Sequence, residues 1–556
     1  YRGSFTRPAA PYPVMQGEDS ATGRRKFLSA VGGAAAAAMA GCTGGDGTPT
    51  DGTTTATGTP TDVSTPEDGP QSGGTLRVGF ESSLTGLDPH KTESVVSWVV
   101  VFNVCEGLIT FADGAPASRL ATDWEIGDDG RTYTFTLAED ARFHPPVDRG
   151  MTAEDVVYSF ERMNQDGAMG SDLAAVDSID ATGEYEVTFT LAETFAPFFN
   201  FLGRVPWVVV PEEAVEAQGG ELGDFQEPVG TGPFQFEEHE PGDHLTLSAF
   251  DDYRAEDAPL LDGVEITPIP DADSRVAALR GGDVDMVRGV SGSDAGTLQD
   301  DDETKLSRQR GTEWGQLHIN CREEPWDDPA VRRAVAHAMD RSAIVEAAVS
   351  GYGQPAWQPY AEGSQWHYDL GDSRRTHDPE RAREILDEAG NPLEGETLTI
   401  KTNTRYQLME TTADLLVAQL SAAGIDAETE TLEWGTQLSD FVQGNFGAMA
   451  FSVPFKIDPD RHYFGFVHPE GTQFNHYGED QPDAQRMYEL LEQGRSETDP
   501  EARVEAYTEF EQLVNEHCPW ISVARADGIS GLRSNVYGIQ PWLLPYTRYW
   551  TMWKGE

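Results

Sequence analysis

The sequence predicts an α/β protein built as two lobes behind an exported, tethered N-terminus. Three observations carry this expectation. Strand-like and helix-like segments alternate from residue 73 to the end of the 556-residue chain, the grammar of layered α/β domains. That stretch is too long for one small core and calls for two or more domains. The residues before it have the composition of an address label and a linker.

The label is RRKFLSAVGGAAAAAMAGC, Arg24 to Cys42. Its apolar part, Phe27 to Ala40, is about fourteen residues long, short of the roughly twenty a spanning helix needs. The paired Arg24 and Arg25 followed by Phe27 and Leu28 resemble a twin-arginine export signal. The ending AMAGC resembles a lipobox, which makes Cys42 the expected lipidated first residue of the mature protein. An alanine-rich core helix is the alternative reading. Residues 43–72 are rich in Thr, Gly, Pro and Asp with almost nothing apolar, so they are expected to stay disordered as a tether.

The chain carries 95 acidic against 39 basic residues, a formal net charge of −56. A charge that large opposes binding to nucleic acid or to an anionic membrane surface. The acid is dispersed rather than focused, which favours a haloarchaeal surface adapted to high salt over a device for capturing cations. Of four cysteines, Cys42 is already assigned. Cys105, Cys321 and Cys518 remain, with no short spacing between them, which excludes a cysteine zinc site and favours buried free thiols over the one disulfide that an extracellular setting would allow.

From residue 73 onward, GGTLRVGF (73–80) reads as a first strand, and residues 94–111 as a long apolar segment closing on a short strand. In RTYTFTLAEDARF, Tyr133, Phe135 and Leu137 share one face of a strand. TAEDVVYSFERM opens with Thr152 and Asp155 in a near capping box, followed by the apolar stripe Val156, Phe160 and Met163. EYEVTFTLAE (184–193) alternates as another strand. Gly230 and Gly232 in VGTGPF are expected to supply positive φ in a tight turn. DGVEITPI (262–269) reads as a strand, and DADSRVAALRGGDVDMV as helix, glycine stop and strand. GQLHINC (315–321) is strand-like, and DDPAVRRAVAHAMDRSAIVEAAV is a helix pair broken near Asp340, placed to cap the second helix. Two further helix–strand units follow before the closing helix and the apolar strand CPWISVA.

Several of these blocks, in this order, resemble the extracellular solute-binding proteins of the peptide/nickel type, the ligand-capturing subunits of ABC importers. They are NVCEGLITFADGAPASRLATDWEIGDDGRTYTFTLAEDARFH (103–144), TAEDVVYSFERM, PVGTGPFQFEEHEPGDHLTLSAFDDY (228–253), VAALRGGDVDMV (276–287), PWDDPAVRRAVAHAMDRSAIVEAAVSGYGQPA (325–356) and the closing TDPEARVEAYTEFEQLVNEHCPWISV. The resemblance implies a two-lobed periplasmic-binding-protein-like fold (type II, cluster C) with a hinge. Residues 73–290 plus 525–556 are expected as lobe I, and 291–524 as lobe II. It also implies a permease and ATPase subunits as partners, no cofactor, and a lipid-anchored position on the extracellular face of the membrane.

Peptide-binding members of that family hold the peptide's ammonium with an aspartate late in the second lobe. The matching stretch here is MAFSVPFKIDPDRHYF (449–464), where Pro454 falls near the expected aspartate and Asp458 and Asp460 lie downstream. The solute is therefore expected to be a peptide or an oligosaccharide. The candidate ligand contacts are Ser83 and Thr85 after the first strand, the aromatic platforms Trp314, Trp357 and Trp434, Arg405 for a carboxylate, Tyr406, and Asp458; Trp366 is a further aromatic of the same region. His462, His468 and His476 beside these acids leave a nickel-binding importer subunit as an alternative. A secreted hydrolase is the other, although no HExxH, GxSxG or phosphate-loop pattern is present.

Overall fold

Two long strands, Thr304–Ile319 and Trp520–Arg533, organise the molecule. They pair antiparallel from Thr304 opposite Arg533 to His318 opposite Trp520. In this computed structural model the described residues are 69–555, without 113, 167–173, 406, 455–456, 472–475 and 541–545. The export signal with Cys42, the tether up to residue 68, and Tyr406 lie outside them.

The long pair is the middle of an eleven-stranded sheet. On one side follow Ala448–Pro454, Leu398–Asn403 and Ala427–Leu432; on the other, Met286–Val287, Thr75–Phe80, Gly263–Pro268, His244–Ala249 and Phe234–Glu240, and the short Gly353–Pro355 pairs with Trp520–Arg533 off this path. A separate antiparallel sheet joins Ala121–Ile126, Thr132–Leu137, Glu186–Leu191 and Val176–Gly183.

Two large hydrophobic cores lie on the two sides of the long pair. The first gathers the strand Thr75–Phe80, the helix Val95–Val104 and the inward residues Tyr133, Phe135 and Leu137 of the four-stranded sheet. Each such large side chain withdrawn from water contributes about 1.5–3 kcal/mol. Val95–Val104 is apolar on nearly every face, as a helix enclosed by core must be; its polar residues are Ser97, which accepts from Thr85 N at 3.2 Å, and Asn103, which donates to Val99 O and Thr547 O. The second core runs from Trp314 to Ala526. A small third cluster packs Leu306 and Ile529 with Val276, Leu279 and Leu298. The first half of Thr304–Ile319 therefore serves one core and its second half another.

Between those halves the ladder shifts register, from Gln309 to Glu313. Gly311 takes a left-handed φ of 64° there, a conformation that suits glycine. Asp527 holds this bulge by accepting from Gly311 N at 2.9 Å and pairing with Arg308.

Local expectations are realised closely. Asp155 Oδ2 accepts from Thr152 N at 2.8 Å at the start of Ala153–Asp166. Asp340 caps Arg341–Val349 through Ala343 N at 3.0 Å. Cys105, Cys321 and Cys518 are buried free thiols.

Two expectations need correction. Gly230 and Gly232 do not take positive φ. A Cβ on Gly230 would lie 2.3 Å from Val104 O, and one on Gly232 2.7 Å from Asn103 O, so glycine is required there for close approach to the end of the buried helix. The strand GQLHINC begins eleven residues earlier than its apolar part, at Thr304. Its polar half carries no period-2 signal because neither face is fully enclosed. Among the described residues no helix is long and apolar enough to cross a membrane.

Candidate functional site: a cleft between the two cores

The strand ends and loops that face each other across the long pair enclose two cavities that share Ile457. The larger, about 1120 Å³, is lined by Gly114 and Ala115 from the first-core side, the bulge residues Gln309, Arg310 and Gly311, and Trp357, Trp366, Arg525 and Asp527. The smaller, about 70 Å³, lies between Trp98, Asn200, Arg204 and Tyr546 on one side and Pro454, Asp458 and Arg461 on the other.

Direct contacts close the two sides over the smaller cavity. Asn200 Nδ2 donates to Asp458 Oδ2 at 3.0 Å, and Ala196 N donates to Arg495 O at 2.8 Å. Asp458 is 5% exposed and held by Arg503 through two bonds of 2.5 and 2.8 Å. Arg495 likewise grips Asp460 at 3.0 and 3.1 Å. Bidentate guanidinium–carboxylate pairs of this kind fix geometry as well as charge. Asp458 thus braces the cleft wall, and its charge is already matched inside the protein.

The other expected contacts divide into four groups. Arg405 and Trp434 are brought together, though neither lines a cavity: the guanidinium lies 5.1 Å from the indole centroid, and Trp434 stacks on Phe451 at 6.1 Å and 22°. Trp357 lines the large cavity, but Arg374 at 4.8 Å and Arg341 at 5.5 Å lie over its ring, and its N–H donates to Arg375 O. Trp314 is 1% exposed and donates to Ser522 Oγ at 3.1 Å, so it packs the second core and offers no platform. Ser83 and Thr85 are exposed and line neither cavity.

The three histidines diverge. His476 Nδ1 lies 2.6 Å from His318 Nε2, His468 faces Glu492 at 3.3 Å, and His462 stacks on Phe466. Burial pushes His476 down to about 3 and His318 well below its usual range, so that pair is neutral. No three metal-ligating side chains converge there among the described residues.

Sequence reasoning missed the cavity-lining Trp98, Arg204, Arg461, Arg525 and Asp527. Glu313 stands at the second-core end of the bulge, opposite Pro454 on one side and Ala526 on the other, and lines neither cavity. In so acidic a chain one glutamate inside a strand carries no signal of its own. The arginines had a faint one, being scarce against 95 acids.

A model described as bacterial extracellular solute-binding proteins, family 5 Middle, matches residues 115–474. The chain belongs to that family. Among curated relatives it is 26% identical over 501 residues to the glutathione-binding protein GsiB of Salmonella paratyphi A, covering 85% of this chain and 92% of that one. It is 27% identical over 499 residues to di/tripeptide-binding protein 1 of Pseudomonas aeruginosa, covering 82% and 90%. Among solved structures, the periplasmic binding protein DppA of Helicobacter pylori in complex with the peptide STSA superposes with a TM-score of 0.74 at 24% identity, over 87% of this chain and 99% of that one. At that identity the superposition establishes the shared two-lobed fold. Members of this family are solute-binding proteins, and the cleft between the cores is where such a fold offers room for a solute.

Proposed function

We propose that the protein captures a short peptide, or a solute of peptide-like chemistry, in this cleft and delivers it to the permease of an ABC importer without altering it. The observation that carries this reading is the cavity of about 1120 Å³ between the two cores of a family 5 chain. Its lining mixes both signs of charge, Arg310 and Arg525 with Asp527, and the amides of Gln354, Gln358 and Gln365. Such a wall suits a zwitterion with hydrogen-bonding groups along its length. The ligands named for the relatives, glutathione and di- or tripeptides, support the same class.

An oligosaccharide fits less well, because Trp314 is enclosed and the rings of Trp357 are covered by arginines. Nickel lacks a converging ligand set in the cleft among the described residues; the three ligating side chains that do converge, Glu240, Asp243 and His244, lie outside both cavities. Opening and closing would turn on the bulge at Gln309–Glu313 and its partner Asp527, where the ladder is already interrupted. Twin-arginine export and a lipid on Cys42, read from residues 24–42, would hold the protein at the outer face of the membrane.

The test is a thermal-shift series on the full chain in molar KCl, with glutathione, di- and tripeptides, maltooligosaccharides and Ni²⁺. A ligand at a hundred times its Kd adds about 2.7 kcal/mol, a rise of a few degrees in Tm. The expected result is a rise with peptides. A rise with sugars alone or with Ni²⁺ alone replaces the peptide reading, and no rise with any probe overturns it.

A further inference from the structure

A further cavity, of about 710 Å³, opens outside the cleft, where three helices and the turn at 372–375 meet. Each helix lines it with a pair spaced one turn apart. These are Arg333 and His337 from Pro329–Ala338, Arg381 and Ile385 from Pro379–Glu388, and Gln512 and Glu516 from Pro500–His517. With Arg374 and Arg375 from the turn, four guanidiniums face the carboxylates of Asp372, Glu388 and Glu516. The local balance is positive on a chain whose net charge is −56.

Two of the four arginines have structural duties. Arg381 pairs with Glu384 and Glu388 of its own helix at 3.0 and 3.3 Å. Arg375 donates to Asn515 Oδ1 at 2.7 Å and to Glu516 O at 3.3 Å, closing the end of Pro500–His517. Arg333 and Arg374 form no ion pair among the described residues. Arg332, next in the chain to Arg333, is fully buried and donates to His517 O and Trp326 O. Of two adjacent arginines, one therefore ties the helix into the second core and the other turns, half-buried, to the cavity. Arg374 lies 4.8 Å from the Trp357 centroid and lines both this cavity and the larger one of the cleft. A guanidinium presents a rigid fork that matches carboxylate and phosphate oxygens. We infer that this outer cavity is a second binding site, for a small organic anion with two or more carboxylate or phosphate groups, held by Arg333 and Arg374. Its volume suits a ligand of that size. In molar salt the Debye length is about 3 Å, so the distant acids do not bar an anion and the adjacent guanidiniums decide. The site is separate from the solute cleft and does not depend on what the cleft carries.

The experiment is equilibrium dialysis of the full-length protein in molar KCl against radiolabelled citrate and, separately, radiolabelled pyrophosphate. The expected result is that at least one of the two binds, a single anion per chain, and that Arg333→Gln weakens it about 10- to 100-fold. Arg383→Gln should leave it unchanged, since that arginine is exposed on the same helix as Arg381 and lies outside the cavity. No retention of either anion by the wild-type protein overturns the site, whether or not the variants fold. Equal affinity in a folded Arg333→Gln protein overturns it as well, because the anion then sits elsewhere. An equal loss in Arg383→Gln overturns it by showing that diffuse charge, and not a fitted site, holds the anion.

Discussion

Glu106, in the first core, and Glu313, at the second-core end of the strand bulge, are both glutamates drawn out of water, yet their surroundings treat them oppositely. Glu106 is 0% exposed and accepts from Arg119, Arg254, Thr231 and Tyr253. Burial alone would raise its pKa, but the two guanidiniums hold it at about 2. Among the described residues Glu313 meets one hydroxyl and no cation, so burial prevails. A fully matched buried charge is a structural fixture, whereas an unmatched one costs its desolvation.

The largest effect is expected at the matched site. Glu106→Gln leaves Arg119 and Arg254 without their counter-charge and should cost about 3–5 kcal/mol, read from denaturant or thermal unfolding in molar KCl. The sign with pH is fixed by the depressed pKa. Its contribution is fully present above about 4.5 and is lost as pH falls towards about 2, so the wild-type melt should decline over that window more steeply than the variant's. A tolerated Glu106→Gln would break the comparison.

Asp458→Asn probes the cleft wall in the same way. It removes the charge from the Arg503 pair and leaves one acceptor oxygen where Arg503 and Asn200 now use two. A loss of about 3 kcal/mol is expected, read from denaturant unfolding in molar KCl. Unchanged stability would show that the Asp458–Arg503 pair does not brace the cleft wall.

Glu511 sharpens the comparison from inside the second core. Burial lifts it to about 7, against the opposing bond from Tyr463. The folded state holds its proton more tightly than the unfolded chain, so stability should fall as pH rises from about 4.5 to about 7. Glu511→Gln should remove that slope and gain on the order of 2 kcal/mol above pH 7. A slope unchanged by the substitution would show that Glu511 is ionised where it stands.

The smallest effects on stability belong to the cleft. Trp434→Ala uncovers one face of Phe451 and removes the ring under Arg405. It should weaken ligand binding about tenfold without unfolding the protein. Unchanged affinity would remove Trp434 from the site. Glu313→Gln should slightly raise the Tm of the ligand-free protein, the opposite sign to Glu106→Gln, because it discharges an unpaired carboxylate. A marked drop in Tm would mean that the free protein does pair it.

The fold was legible in the sequence wherever the signal is local. Tyr133, Phe135 and Leu137 alternate and all face the core. Thr152 with Asp155, and Asp340, cap the helices their spacing foretells. The site was legible only in part. Trp357 reaches the wall of the large cavity, whereas Trp314 has an equally suitable side chain and is enclosed. An aromatic residue on a strand has the same sequence signature whether its face meets a ligand or Trp520 and His462.

By itself the sequence determined the alternation of strands and helices, their caps and the family, because each is written in spacing along the chain. The tertiary structure decided which charges are matched. Asp458 reaches Asn200 across 258 residues and Glu106 reaches Arg254 across 148. Glu313 is set apart by a register that places Pro454 and Ala526, rather than a cation, at its sides. Coulomb energy and desolvation depend on distance in space and on exclusion of water, and neither quantity is encoded in the position of a residue along the chain.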